Sequence, residues 1–354
     1  MKFLENISLA EYTTFKIGGP ARFFCIVKNE DELIEAVKFA RSRKLVDAPN
    51  SSGANDLPIL ILGGGSNMLV SDAGFNGLVI KMEYKGIDIL EDGVTVSACA
   101  GESWDSLVEY SVQKGLYGLE NLSAIPGTVG AAPVQNIGAY GAEVSDNLVF
   151  MRVLDLKDMK AYLFSKEDCR FGYRDSIFKR ERGRYVILVV AFKLSKGGVL
   201  KMDYKDVREY LNTHGMTSPS LVDLRKAIID IRTAKLPDWK KWGTAGSFFK
   251  NPNVSVAQFD ELKAKYPGLP GYPEDDGTVK VSLGWILDKV CDARGLTFDT
   301  AGGGKVGTYG KQALVLVAQA GAKAEDVLAL SRELMHRVKD KTGIVIEAEV
   351  EWVC

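Results

Sequence analysis

Histidine is nearly absent: the 354 residues hold two, His214 and His336, neither in a metal-binding H-E-x-x-H context nor beside a nucleophile-elbow serine. Proton transfer must therefore fall to Ser, Tyr, Glu or Lys. Cysteine is scarce and scattered. Cys25, Cys99, Cys169, Cys291 and Cys354 are odd in number and never spaced C-x-x-C, so neither a disulfide framework nor a zinc knuckle is indicated and no metal site is expected. An excess of either charge is missing too. The 45 Lys+Arg face 46 Asp+Glu, a formal net charge of -1, which withholds the positive field that a nucleic-acid binder needs. No apolar run reaches the roughly 18 residues of a membrane span. The N-terminal MKFLENISLAEYTTFKIGG has charged and polar residues where a signal peptide needs an apolar core. A cytoplasmic location is expected, with neither membrane nor nucleic acid among the partners.

What remains is globular, with 46% hydrophobic and 26% charged residues, and long enough for two domains at roughly 150 residues each. Phe23 to Val27 reads as a strand. Asn29, with Glu32 three residues on and then Leu33, Ala36, Val37 and Ala40, reads as a capped helix. The turn-rich stretch from Asp47 to Asp56 is an expected exposed loop, and Ile59 to Leu62 an apolar strand completing a small βαβ unit. Further strands are expected over Gly77 to Met82, Gly93 to Ala100, Val149 to Leu156 and Tyr185 to Leu194. Helices are expected over Trp104 to Gln113, Ser220 to Arg232, Leu283 to Val290 and Ala324 to Val338. IVIEAEVEWV reads as a closing strand. The domain boundary is placed near residue 205, dividing 1–205 (lobes of about 1–75 and 76–205) from 206–354.

Several stretches could carry chemistry. Gly63-Gly64-Gly65-Ser66-Asn67 follows a strand, so its backbone N–H groups and two polar side chains could cradle a pyrophosphate, or it is a plain structural turn. Leu122 to Gly141, LSAIPGTVGAAPVQNIGAYG, is too apolar for a solvated loop and too broken for a helix. It either wraps something flat, such as a flavin, or packs on its own protein. Arg174, among the aromatics of CRFGYRDSIFK, could clamp a carboxylate, though most such arginines are surface ion pairs. Arg232 and Lys235 share one turn at a helix end, where they could meet a diphosphate or simply complement the helix dipole. Ser247 in GSFFKNP is a candidate proton donor, effective only toward a strongly basic carbanion or enolate. In the closing strand, Glu347 and Glu349 should share one face, with Ile346, Ala348 and Val350 on the other.

Taken in order, TTFKIGG, GGGSN, LSAIPGTVGAAPVQNIGAYG, CRFGYRDS, RTAKLPD, GSFFKNP and EAEV resemble the UDP-N-acetylenolpyruvoylglucosamine reductase family over essentially the whole chain. The resemblance implies an α+β protein: a two-lobed FAD-binding domain of the vanillyl-alcohol-oxidase type, then a C-terminal α+β substrate-binding domain. It implies that non-covalent FAD is reduced by NADPH and that reduced flavin N5 passes hydride to the enolpyruvyl group, giving UDP-N-acetylmuramate for peptidoglycan synthesis. Arg174 and Glu349 would stabilise the enolate and Ser247 would protonate it. The cofactor would sit on Gly63, Gly64, Gly65, Ser66 and Asn67, with Ala131, Val134, Ile137 and Gly138 around the flavin. Tyr140, Arg174, Tyr204, Lys235, Asn251 and Gln312 would contact substrate, Tyr204 on the flap of the longer subtype. Ala131 departs from relatives that carry serine there. A monomer is expected. A flavin oxidase of the same fold and a catalytically silent nucleotide-sugar binder remain the rival readings.

Overall fold

The computed structural model describes residues 1–43 and 56–354, so the loop expected over 47–56 lies outside the described residues but for Asp56. Two compact units emerge: 1–7, 21–65 and 76–234 form the first, and 8–20, 66–75 and 235–354 the second. Segment 206–234, beyond the boundary drawn from the sequence, thus packs within the first unit.

In the first unit, Leu4–Ser8, Pro20–Val27, Phe75–Met82 and Ile59–Leu62 make a four-stranded sheet in that order, the last two parallel. Helix Glu30–Ser42 connects Pro20–Val27 to Ile59–Leu62, and its Leu33, Ala36, Val37 and Ala40 are all buried, as a three-and-four spacing requires. Asn29 Oδ1 accepts the Glu32 N–H at 2.9 Å. The Glu32 carboxylate takes the Lys28 N–H at 2.6 Å, one residue before the cap that a standard capping box would use. A second, five-stranded sheet runs Lys160–Ser165, Leu148–Asp155, Tyr185–Lys193, Thr95–Cys99, Ile87–Ile89, with antiparallel neighbours throughout. Helix Trp104–Gln113 covers it. The buried Trp104 ring meets Phe192 edge-on at 5.7 Å and its indole N–H donates to Leu122 O at 2.9 Å, which fixes where the irregular stretch begins.

Helices Lys205–Thr213 and Leu221–Lys235 pack on each other through Val207, Leu211, Leu224, Ala227, Ile228 and Ile231. Arg225, 8% exposed, reaches from the longer helix to both carboxylate oxygens of Asp105, at 2.7 and 3.1 Å. Asp105 also accepts the Ala124 N–H at 2.6 Å. Burial alone would raise this carboxyl, but the Arg225 guanidinium and the Ala124 N–H outweigh it and hold it below its ordinary range. Its contribution is therefore complete above the unfolded value near pH 3.9 and is lost as pH falls from there through the lower folded value. Asp105→Asn should cost about 2 kcal/mol at neutral pH, less than a fully buried pair because the Asp105 side chain is still 37% exposed. Urea midpoints check this. The gap from wild type should narrow as pH falls below about 4, where Asp105 is protonated first in the unfolded chain and then, through its lower value, in the folded protein.

The second unit gathers its two short N-terminal segments around a core containing Phe15, Leu69, Phe248, Phe249 and Val281. It holds two three-stranded antiparallel sheets, Asn253–Ser255, Thr278–Val281, Gly271–Pro273 and Thr297–Asp299, Lys305–Tyr309, Gln312–Ala318. Helix Ala324–Thr342 buries Val327, Leu330, Leu334 and Val338. The helix expected from Leu283 to Val290 opens as α over Leu283–Trp285 and continues as a π-turn over Ile286–Val290. The closing strand is shorter than its alternation suggests. Only Glu351–Val353 is a strand, parallel to Met68–Val70, whereas 344–350 is irregular apart from one bridge between Ala348 and Phe249. Ile346 and Val350 are buried but Ala348 is exposed, because a single bridge does not impose a continuous pleat.

Candidate active site

In the first unit, strand Ile59–Leu62 delivers the chain into a turn whose backbone lies against a second loop. A Cβ on Gly63 would stand 2.6 Å from Thr128 Oγ1 and 3.2 Å from Ala131 Cβ, and one on Gly64 would stand 2.8 Å from Gly127 Cα. Gly65 has φ +61°. Only glycines permit this approach, and a turn without side chains presents its peptide groups, as an extended anion requires. Lys81 donates to Gly63 O, and burial lowers its ammonium pKa.

That second loop is the stretch from Leu122 to Gly141, which proves neither solvated nor helical. A short 3₁₀ turn spans Ala132–Gln135, and Gly138–Ala139 pairs with Ala142–Glu143. Among the described residues, non-glycine positive φ values occur here at Ala124 (56°), Asn136 (44°) and Tyr140 (49°), and on the partnering turn at Arg174 (52°). Such backbone persists only where surroundings over-determine it. Here they do. Ala124 O accepts from Arg232 Nε at 3.2 Å, and Val134 O from Ser176 Oγ at 2.6 Å. Asn136, 1% exposed, donates to Glu143 at 2.7 Å and accepts the Ser145 N–H at 3.0 Å. Val134, Ile137 and Gly138 stay half-buried and Ala131 exposed, leaving apolar surface that a planar ring could cover.

Arg174 donates through Nη2 to Gly138 O at 2.8 Å, with its guanidinium carbon 5.2 Å from the Tyr173 ring centroid. The structure thus brings together the expected enolate-stabilising arginine and an expected flavin contact. Neighbouring Asp175 pairs with Arg180 at 3.5 Å. Tyr140 meets Tyr204 edge-on at 5.3 Å, and Asn121 Nδ2 ties Tyr140 O (2.8 Å) to Lys201 O (2.9 Å). Burial pushes the Tyr140 phenol up to about 12 against the opposing pull of Arg232, to which it is hydrogen-bonded, so it remains an O–H donor at neutral pH. Tyr204 is 48% exposed at the start of helix Lys205–Thr213. Arg232 and Lys235, paired in the sequence reading, diverge: Arg232 turns to Ala124 and Tyr140, and Lys235 is exposed at the helix end.

The second unit holds the other expected residues. Ser247 bridges to Val315, and Phe248 N–H donates to Leu314 O at 2.9 Å. On the other side, Glu349 N–H donates to Phe248 O at 2.8 Å and Lys250 N–H to Glu347 O at 3.0 Å. Ser247 and Glu349 therefore lie on adjacent backbone segments, both half-buried, while Phe248 and Phe249 anchor the segment in the core. Asn67 Nδ2 donates to Glu349 O at 3.2 Å. Thr14 supports the stretch from below, its Oγ1 donating to Thr244 O at 2.6 Å. Asn251 Oδ1 accepts the Leu283 N–H at 3.0 Å, and Gln312 Oε1 lies 2.8 Å from where a Gly284 Cβ would be, so both meet the same short helix. Sequence reasoning missed Asp105, Asn121, Asn136 and Arg225. Only Asn136, as an asparagine after a 3₁₀ turn, carried a local signal.

A family model described as an FAD binding domain matches residues 21–159, and one described as the C-terminal domain of UDP-N-acetylenolpyruvoylglucosamine reductase matches 238–353. The chain is similar to the UDP-N-acetylenolpyruvoylglucosamine reductase of Pseudomonas aeruginosa, 41% identical over 358 residues that cover 99% of this chain and 98% of that one. It is similar also to that of Chromobacterium violaceum, 40% identical over 354 residues with 99% and 98% covered. Among solved structures, the crystal structure of UDP-N-acetylenolpyruvylglucosamine reductase (MurB) from Thermus caldophilus matches with a TM-score of 0.68 at 25% identity, over 100% of both chains. Identity of this order, sustained from end to end, places the chain in the UDP-N-acetylenolpyruvoylglucosamine reductase family.

Proposed function

We propose that this protein reduces the enolpyruvyl group of UDP-N-acetylenolpyruvoylglucosamine to UDP-N-acetylmuramate, with non-covalent FAD as cofactor and NADPH as co-substrate, acting as a monomer in the cytoplasm. The observation that carries the reading is that a hydroxyl residue, Ser247, and a carboxyl residue, Glu349, lie on adjacent backbone segments in a chain with only two histidines. The glycine turn and the loop against it fit FAD: Gly63, Gly64, Gly65, Ser66 and Asn67 would meet the pyrophosphate and Ala131, Val134, Ile137 and Gly138 the ring. Bound there, FAD supplies the electron pair. The chain's own groups then act on the substrate. Reduction at the β carbon of an unsaturated carboxylate drives charge onto the carboxyl oxygens, where Arg174 and a protonated Glu349 would stabilise it. Ser247 would protonate the adjacent carbon, and a hydroxyl suffices because an enolate is far more basic than water. Tyr140, Tyr204, Lys235, Asn251 and Gln312 would bind the rest of the substrate.

Anaerobic absorbance of the purified protein tests this. NADPH should bleach the flavin band and the enolpyruvyl substrate should restore it. A colourless protein, or bleaching reversed by oxygen alone, overturns the proposal, the latter in favour of an oxidase. The cradle has its own test. A Gly64→Ala methyl would press on the Gly127 main chain, 2.8 Å from its Cα, and the resulting overpacking of about 1–3 kcal/mol should weaken FAD binding roughly 10- to 100-fold. Flavin content after dialysis reads the loss, and an unchanged far-UV spectrum shows that the fold survives.

A further inference from the structure

Glu349 sits in the irregular 344–350 segment, where no continuous ladder fixes it. Its position is set peptide by peptide. Its N–H is held by Phe248 O at 2.8 Å, and its carbonyl by the side-chain amide of Asn67 at 3.2 Å, across 282 residues of sequence. The backbone carbonyl of Asn67 also accepts the Glu351 N–H at 3.0 Å, where Glu351–Val353 begins to pair with Met68–Val70. One residue thus holds the glutamate's own carbonyl and the N–H two residues further on.

We infer that Asn67 is a positioning residue for Glu349: its main chain belongs to the glycine turn, and its side chain sets where the acid's carboxyl is presented. The inference rests on the proposed role of Glu349. An amide is suited to this because it donates without carrying charge beside a turn read as an anion cradle. Alanine removes the donor and leaves the main chain in place, so the Glu349 backbone loses a hydrogen bond that holds it. Displacement of a reacting group by about 1 Å costs roughly 100-fold.

The test uses the holoenzyme and both half-reactions. Because Asn67 also lies in the turn read as the pyrophosphate cradle, Asn67→Ala is assayed with FAD added to saturation, and its NADPH bleaching serves as the reference rate for the first half-reaction. Substrate-driven recovery should fall roughly 10- to 100-fold in its limiting rate, with the half-saturating substrate concentration unchanged. Asn67→Leu, which restores bulk without the donor, should behave alike. The same replacement made in Glu349→Gln should cost much less, because the two act as one unit. Equal slowing of both half-reactions with FAD saturating would assign the Asn67 side chain to the cofactor alone and overturn the inference. Full recovery rates in Asn67→Ala alongside slow recovery in Glu349→Gln would remove the positioning role alone. Full rates in Glu349→Gln would remove the role of Glu349 and this inference with it.

Discussion

Ser247→Ala should keep its flavin, bleach with NADPH at the wild-type rate, and recover with substrate roughly 100-fold or more slowly. The size follows from what the hydroxyl is asked to do. No histidine is available as an alternative acid: His214 bonds Tyr210 O on its own helix, and His336 pairs with Asp340 on another. The specificity follows from what holds the residue. The Ser247 backbone is fixed by its bridge to Val315 and by the neighbouring Phe248 and Phe249, 3% and 1% exposed, so alanine deletes Oγ and little else. Denaturant stability should change by no more than about 0.5 kcal/mol. A uniform loss in both half-reactions would instead mean that Ser247 serves cofactor or fold, and the proton-donor assignment would fall.

What could be read in advance was local. The helix from Glu30 was visible because Leu33, Ala36, Val37 and Ala40 recur at helical spacing behind an Asn cap. Strand Ile59–Leu62 showed as an unbroken apolar run into glycine. Ser247, Arg174 and Glu349 were visible as motif residues, but the contacts around them were not. Arg232 reaches Ala124 across 108 residues and Arg225 reaches Asp105 across 120, and no periodicity encodes such pairings. The left-handed backbone at Ala124, Tyr140 and Arg174 has no propensity signal either, since none of these residues favours that conformation. Tertiary bonds impose it. The second unit is composed of 8–20, 66–75 and 235–354, and a linear boundary cannot express that. The closing strand misled for a related reason: its alternation is real at Ile346 and Val350, but an irregular segment replaces the ladder that would have carried it through Ala348.

Arg174→Lys preserves the charge and should still slow substrate-driven recovery roughly 100-fold, whereas Arg174→Asn should slow it roughly 1000-fold. The guanidinium already spends one nitrogen on Gly138 O at 2.8 Å while lying 5.2 Å from the Tyr173 ring. Its planar fork can hold that carbonyl and offer further N–H groups in the same plane to a carboxylate gaining enolate charge. An ammonium on a flexible stem can serve one partner or the other, so the substrate carboxylate loses its oriented donors even though the charge stays. Asparagine supplies the control for the backbone, because at φ 52° it tolerates the left-handed conformation better than arginine does. A folded, yellow, NADPH-bleachable Arg174→Asn that fails only with substrate would separate chemistry from strain. Were Arg174→Lys to recover at the wild-type rate, a point charge would be enough and the fork geometry would carry no catalytic weight. Were Arg174→Asn also to recover at that rate, Arg174 would be a fastener for Gly138, and enolate stabilisation would rest on Glu349.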